Sequence, residues 1–237
     1  MPNPSRKTYF NWSSGKDSAL ALYRLRQEGI YDIRTLVTTV NKSLERVSMH
    51  GLREALLDLQ ARSLGFPLYK IYLPDTATMS VYDEVMDKAV RELKAEGHDY
   101  AAFGDIFLED LRQYREEKLS GIGVQAVFPL WKNNSRELME EFISSGFKAI
   151  TVCVNARILG EGFCGREVDR DFLDALPAHV DPCGENGEFH TFVYDGPLFR
   201  TPVRFDIGEN VRRTYGDAQD GSSAWDNAFW YCDLKPL

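Results

Sequence analysis

The chain is poor in the features that would place it outside the cytoplasm or on nucleic acid. Its 237 residues include only four cysteines, at positions 153, 164, 183 and 232, and no Cys-x-x-Cys pair. That excludes a disulfide framework and a zinc site of the usual spacing, and leaves reduced thiols as the expectation. No apolar run reaches the roughly 18 residues a membrane helix needs, so no membrane partner is expected. Met-Pro-Asn-Pro-Ser-Arg-Lys leads directly into a strand-like run with no secretory signal. A cytoplasmic location is the expectation. Lysine and arginine number 28 against 36 acidic residues, for a net charge of −8. An excess of that sign excludes a broad nucleic-acid footprint but leaves a local basic patch open. Repeats and low-complexity tracts are missing too.

What is present is ordinary globular composition, 43% hydrophobic and 27% charged, which argues for a real core. Strand-like runs cover Tyr9–Trp12, Ile33–Val40, Pro67–Leu73, Tyr100–Ile106, Gln125–Leu130 and Lys148–Asn155. Helical patterns alternate with them at Asp17–Gln27, Met49–Leu64, Val81–Ala95, Glu109–Leu119 and Ser135–Ser144. This alternation predicts an α/β fold: a Rossmann-type parallel sheet of five or six strands with helices on both faces. After residue 156 the chain is rich in loops, with strand-like runs at Phe189–Tyr194, Val203–Ile207 and Ala228–Leu234. We expect residues 1–131 to form the α/β domain and residues 132–237 a smaller α+β substrate-binding region. Ligands of parallel sheets bind beyond the carboxyl ends of the strands. Residues 13–18, 38–43 and 104–110 are therefore expected to converge.

The most informative segment is Ser13-Ser14-Gly15-Lys16-Asp17-Ser18, between the first strand and the first helix. Small residues at a helix N-terminus expose backbone N–H groups where the dipole favours an anion, and two or three hydroxyls and a lysine surround the same point. This is the pattern of a phosphate cradle. A Walker A loop needs a glycine five residues before its Gly-Lys pair, and Phe10 stands there instead. The hexapeptide resembles the SGGxDS loop of the PP-loop ATP pyrophosphatases, with Ser14 replacing the first glycine. Serine tolerates a positive φ less well than glycine.

Beyond the loop, the chain resembles the diphthine–ammonia ligase family over nearly its whole length. The resemblance rests on Ser48-Met49-His50, Leu59-Gln60-Ala61, Leu64-Gly65-Phe66-Pro67-Leu68 and Pro129-Leu130-Trp131. It extends to Arg115 and Glu117 after Gly104-Asp105-Ile106, to Glu161–Gly165, and to Gly184-Glu-Asn-Gly-Glu-Phe-His-Thr-Phe192. It implies a PP-loop (HUP-like) fold that binds ATP with Mg²⁺, adenylates a small-molecule or protein-borne carboxylate, releases pyrophosphate, and makes an amide with ammonia or an amine. A homo-oligomer is compatible with it. Carried onto this sequence, the nucleotide would contact Ser13, Ser14, Gly15, Lys16, Asp17, Ser18, Thr38, Thr39, His50, Gly104 and Asp105. Asp17 would orient the metal or cap the helix. Arg115, Glu117, Glu185, Asn186, Glu188 and His190 would face the acceptor, with Lys16, Asp17, Glu188 and His190 as the catalytic set.

Asn186 and His190 depart from the family's Gly-Glu-Gly-Gly-Glu-(Phe/Tyr)-Glu-Thr pattern. The same changes are typical of a bacterial branch linked to cobalamin salvage, so the acceptor is open. Two other readings stand beside the ligase: a nucleotide sensor without turnover, and a tRNA-thiolating enzyme, which would require paired cysteines and a basic patch that the chain lacks. In an extended strand Glu188 and His190 share a face, suited to acid–base work or amine binding. His179, Cys183 and His190 could alternatively bind a metal, on no standard spacing. Cys164 and Cys183 sit in loops, where a thiol is able to react.

Overall fold

The computed structural model describes residues 6–47, 51–74, 78–215 and 227–237. Strand β1 (Arg6–Asn11) runs into helix α1 (Lys16–Glu28) and then strand β2 (Tyr31–Asn41), whose end pairs with the short antiparallel β3 (Arg46–Val47). Helix α2 (Glu54–Leu64), strand β4 (Leu68–Leu73), helix α3 (Met79–Ala95), strand β5 (Tyr100–Ala102), helix α4 (Glu109–Ser120) and strand β6 (Gln125–Val127) follow. The parallel strands lie in the order β4-β2-β1-β5-β6. The chain thus builds outward from β1 to one side and restarts at β5 on the other. This reversal opens a crevice between β1 and β5 at their carboxyl ends.

Strand alternation divides the core. Phe10, Leu36 and Ala102 pack with α1 and α2, while Tyr9, Val37 and Ala101 pack with Val90 and Leu93 of α3 and Leu119 of α4. Helices therefore cover both faces, as the sequence predicts.

Helix α5 (Ser135–Ser144) leads to β7 (Lys148–Asn155), and α6 (Arg170–Ala175) precedes β8 (Phe189–Asp195), β9 (Phe205–Tyr215) and β10 (Asn227–Pro236). These four strands form a second, antiparallel sheet in the order β8-β7-β10-β9. Lys148–Asn155 is thus not a sixth parallel strand. Six of its eight residues are buried, and an unbroken apolar run reads the same in any central strand covered on both faces. Two other strands are shorter than expected, ending at Ala102 and Val127, because Gly104-Asp105 and Pro129 leave the ladder. Strand β2 reaches Asn41, so Thr38 and Thr39 lie inside it rather than after it.

The sheets share one apolar cluster, from Phe10 and Trp12 through α2 to Phe189, Phe192 and Leu234. Gln60, fully buried on α2, ties them with polar bonds. Its oxygen accepts from Trp12 Nε1 at 2.7 Å, and its amide donates to the carbonyls of Ser14 at 3.0 Å and Val193 at 2.6 Å. A buried amide satisfied three times holds a unique arrangement better than apolar contact alone. Among the described residues no helix is long and apolar enough to cross a membrane.

Candidate functional site

The loop after β1 is ordered from within. Ser14 adopts φ +71°, the left-handed region, and its hydroxyl bonds the Ser13 carbonyl. Ser13 Oγ lies 3.0 Å from Ser18 Oγ and accepts from the Gly15 N–H at 3.3 Å, while Ser18 Oγ donates to the Gly15 carbonyl at 2.9 Å. Gly15 is the N-cap of α1 and so supplies no capping side chain; the Lys16 N–H of the first turn is taken by Thr191 Oγ1 from the second sheet. Such a turn offers its other N–H groups and positive dipole end to an anion. Gly104 packs directly on it: a Cβ there would stand 2.9 Å from the Asp17 carbonyl carbon and the Ser18 nitrogen. Only glycine lets the segment after β5 approach α1 this closely.

A cleft of about 580 Å³ lies over the carboxyl ends of β1, β2 and β5. The cradle loop (Ser13, Gly15, Lys16, Asp17, Ser18) and Thr38 and Thr39 form one wall, Gly104, Asp105 and Arg115 another, and Glu185, Asn186 and His190 face them from the second sheet. Segments far apart in sequence thus meet at the crevice the strand order creates.

Two family models cover the chain. That for the diphthamide synthase N-terminal domain matches residues 6–126, and that for its C-terminal domain residues 134–235. The chain belongs to the diphthamide synthase family. A diphthine–ammonia ligase of Danio rerio is 27% identical over 222 residues, spanning 84% of this chain and 86% of that protein. The Rattus norvegicus diphthine–ammonia ligase is 30% identical over 224 residues, spanning 84% and 82%.

In this family member several predicted site residues do other work. Lys16 is almost wholly buried; its ammonium pairs with Asp17 Oδ2 at 2.8 Å and donates to the Cys183 carbonyl, while its N–H donates to Thr191 Oγ1 at 3.0 Å. It therefore clamps the second sheet to the cradle as well as lining the cleft. Burial opposes its charge most strongly, but Asp17, Cys183 and Glu185 together more than offset this, so Lys16 stays protonated. Burial also raises the Asp17 carboxyl above the usual range, against the pull of Lys16. Thr38 Oγ1 donates to the Trp12 carbonyl at 2.7 Å, joining β2 to the cradle loop.

Glu188 and His190 do not share the cleft wall. Strand β8 begins only at Phe189, and Glu188 turns inward, accepting from the N–H groups of Asp181 at 3.1 Å and Asn186 at 2.9 Å. Its carboxylate shapes the loop. Glu117 lies on the exposed side of α4, bonded to Gln113 at 2.8 Å, whereas Arg115 faces the cleft, paired with Asp105 at 2.8 Å and stacked 4.3 Å over Phe103. Ser14 is buried beneath the loop. His50 lies outside the described residues.

The titration behaviour also differs from expectation. Burial, reinforced by the Lys16 charge, lowers His190 to about 4, so the ring is neutral at pH 7. Glu185 is the group near neutrality: burial, then the negative charge of Asp17, raises it to about 7 while its Oε1 accepts the Ile106 N–H at 2.9 Å. The cysteines are all buried, with Cys183 and Cys164 raised far above the thiol range by desolvation. Such thiols are poor nucleophiles. His179 is exposed and far from matching the buried Cys183 as a co-ligand, and no three His, Cys, Asp or Glu residues among those described are placed to hold a metal.

Sequence reasoning missed Gln60, Trp12, Thr191 and Phe103. Gln60 falls within a quoted family motif, but nothing local shows that its amide crosses to β8.

Proposed function

We propose that this protein is an ATP-dependent ligase that activates a carboxylate as its adenylate, releasing pyrophosphate, and then forms an amide with ammonia or an amine, releasing AMP. One observation carries this reading: a helix start with a glycine N-cap, ringed by Ser13, Lys16 and Ser18, opens on a cleft at the switch point of a parallel sheet. Family membership and the diphthine–ammonia ligases among its relatives support it.

In this reading the triphosphate lies on the cradle and the nucleoside extends along Thr38 and Thr39. N–H groups and hydroxyls fixed before the substrate arrives stabilise the charge that builds on departing pyrophosphate. Magnesium keeps several waters and is usually held by one or two carboxylates together with substrate phosphates. Asp17, which lines the cleft at the helix start, is the carboxylate that would complete the shell. The metal would neutralise phosphate charge; the protein supplies orientation.

The second step must shed a proton: ammonia attacks the acyl carbon, the C–O bond to AMP breaks, and the nitrogen loses H⁺. Glu185 is suited to accept it, since a base works best near the operating pH. Arg115 would hold an anionic oxygen of the adenylate or acceptor. The neutral His190 replaces a negative charge of the family pattern, so the acceptor is expected to be less cationic than diphthine. Amidation of diphthine at a rate matching the relatives would refute that point, and a gain in His190→Glu would support it.

Chromatography of ATP, Mg²⁺ and protein with candidate carboxylates tests the chemistry. AMP and pyrophosphate are expected; ADP as the main product would overturn the assignment.

A further inference from the structure

A second cavity, of about 450 Å³, lies between the β2–β3 hairpin and strands β9 and β10. It shares Val47 with the cleft, so the two are neighbours at the lip of β3. Nothing in the nucleotide chemistry uses it.

Its lining has a definite charge and texture. Arg46 and Arg53 both bind Asp233, at 3.0 and 2.6 Å, so one carboxylate answers two guanidiniums. Arg213 faces the cavity with its guanidinium 6.0 Å over the Tyr231 ring and forms no ion pair among the described residues. Two arginines, Arg46 and Arg213, line the cavity against one aspartate that Arg53 also pairs from outside, which leaves a local positive excess in a chain of net charge −8. Leu44 and Val211 at the cavity are 59% and 43% exposed, an apolar rim left open to water. A positive wall with an aromatic floor and an apolar rim suits an anion carried on an apolar arm, because the arm covers the rim while the guanidiniums pair the charge.

We propose that this cavity binds the anionic, apolar-flanked arm of the carboxylate-bearing acceptor, with Arg213 and Arg46 as its charge partners. Naming the occupant as the acceptor rests on the ligase reading; the anion site itself does not. An acceptor anchored here would reach the cleft past Val47, leaving its reacting group to meet the adenylating phosphate.

The test uses the full-length protein and 4-phenylbutyrate, a carboxylate on an apolar arm, titrated by calorimetry with and without saturating AMP. Saturable binding is expected under both conditions, weakened at least tenfold in Arg213→Glu and lost with the neutral 4-phenylbutyramide. Arg213 is exposed, so the variant should keep the parent circular-dichroism spectrum. A second variant, Val211→Asp, should weaken the probe from the rim. Undiminished binding in both variants would overturn the proposal, as would displacement by AMP, which would put the probe in the nucleotide cleft. Equal binding of the amide would reduce the cavity to an apolar surface and also overturn it. Calorimetry needs no turnover, so a failed ATP-cleavage assay would sink the ligase reading while leaving this result intact.

Discussion

The loops facing each other across the cleft are organised by opposite chemistry. Residues 13–18 are held by hydroxyls and backbone, with no carboxylate accepting from the helix start. Residues 181–188 are held by carboxylates: Asp181 Oδ2 accepts from the N–H groups of Cys183 at 3.1 Å and Glu185 at 3.0 Å, and Glu188 accepts from Asp181 and Asn186. Both carboxylates are engaged within their own loop, which leaves Glu185 and Asn186 as its polar side chains on the cleft. Lys16 is the direct tie, since its ammonium reaches the Cys183 carbonyl. Glu185 owes its raised carboxyl to burial first and then to Asp17 of the opposite loop, with Asp105 adding to it.

The sharpest way to break this contrast is to remove the tie. Lys16→Ala leaves Asp17 without its partner and frees the Cys183 carbonyl, at an expected cost of about 3 kcal/mol and at least a tenfold loss of ATP affinity. Denaturant unfolding and nucleotide calorimetry measure the two effects. An unchanged midpoint would mean that the loops are held apart from Lys16.

Next comes the loop held by carboxylates. Glu188→Ala strands buried N–H groups and should cost about 2 kcal/mol, whereas Ser13→Ala in the hydroxyl-held loop should cost about 1 kcal/mol or less. Equal losses in unfolding experiments would erase the distinction.

Glu185 sharpens it through pH. Its carboxyl is raised in the fold, so the stability it contributes is complete below the ordinary glutamate pKa of 4.5 and is lost as pH rises through about 7. Glu185→Gln should therefore be the more stable protein above pH 7, by roughly 1–3 kcal/mol, with the gap closing towards pH 4.5 in unfolding curves taken across that range. In the ligase reading, amide formation rises with pH through about 7 in the parent and is flattened in the variant.

The smallest effect is expected at Ser14, whose φ of +71° is strained for a side chain. Ser14→Gly should relieve it and raise stability by about 0.5–1 kcal/mol, visible as a higher unfolding midpoint. A drop would show that the Ser14 hydroxyl bond outweighs the strain.

Much of the site was legible because its chemistry is local. Ser13 to Ser18 is a continuous hexapeptide after an apolar run, and Gly104-Asp105 follows a strand, so position alone put them near the sheet's carboxyl edge. Glu188 misled because the expected alternation starts at Gly187, whereas β8 starts only at Phe189. Glu185, and not His190, is the group that titrates in the neutral range, because a pKa depends on enclosure and neighbouring charge, which spacing does not reveal.

By itself, the sequence determined the alternation of strand and helix, hence the parallel sheet and its covered faces, since a 2-residue or 3.6-residue period is a property of neighbours along the chain. It also determined that a turn of small residues, hydroxyls and a lysine follows the first strand, because these residues are adjacent. The tertiary structure alone decided that Lys148–Asn155 joins a second, antiparallel sheet, that Lys16 spends its ammonium on a loop 167 residues away, and that Glu185 titrates near 7. These depend on which surfaces pack together and how far water is excluded between them, and no local pattern encodes that.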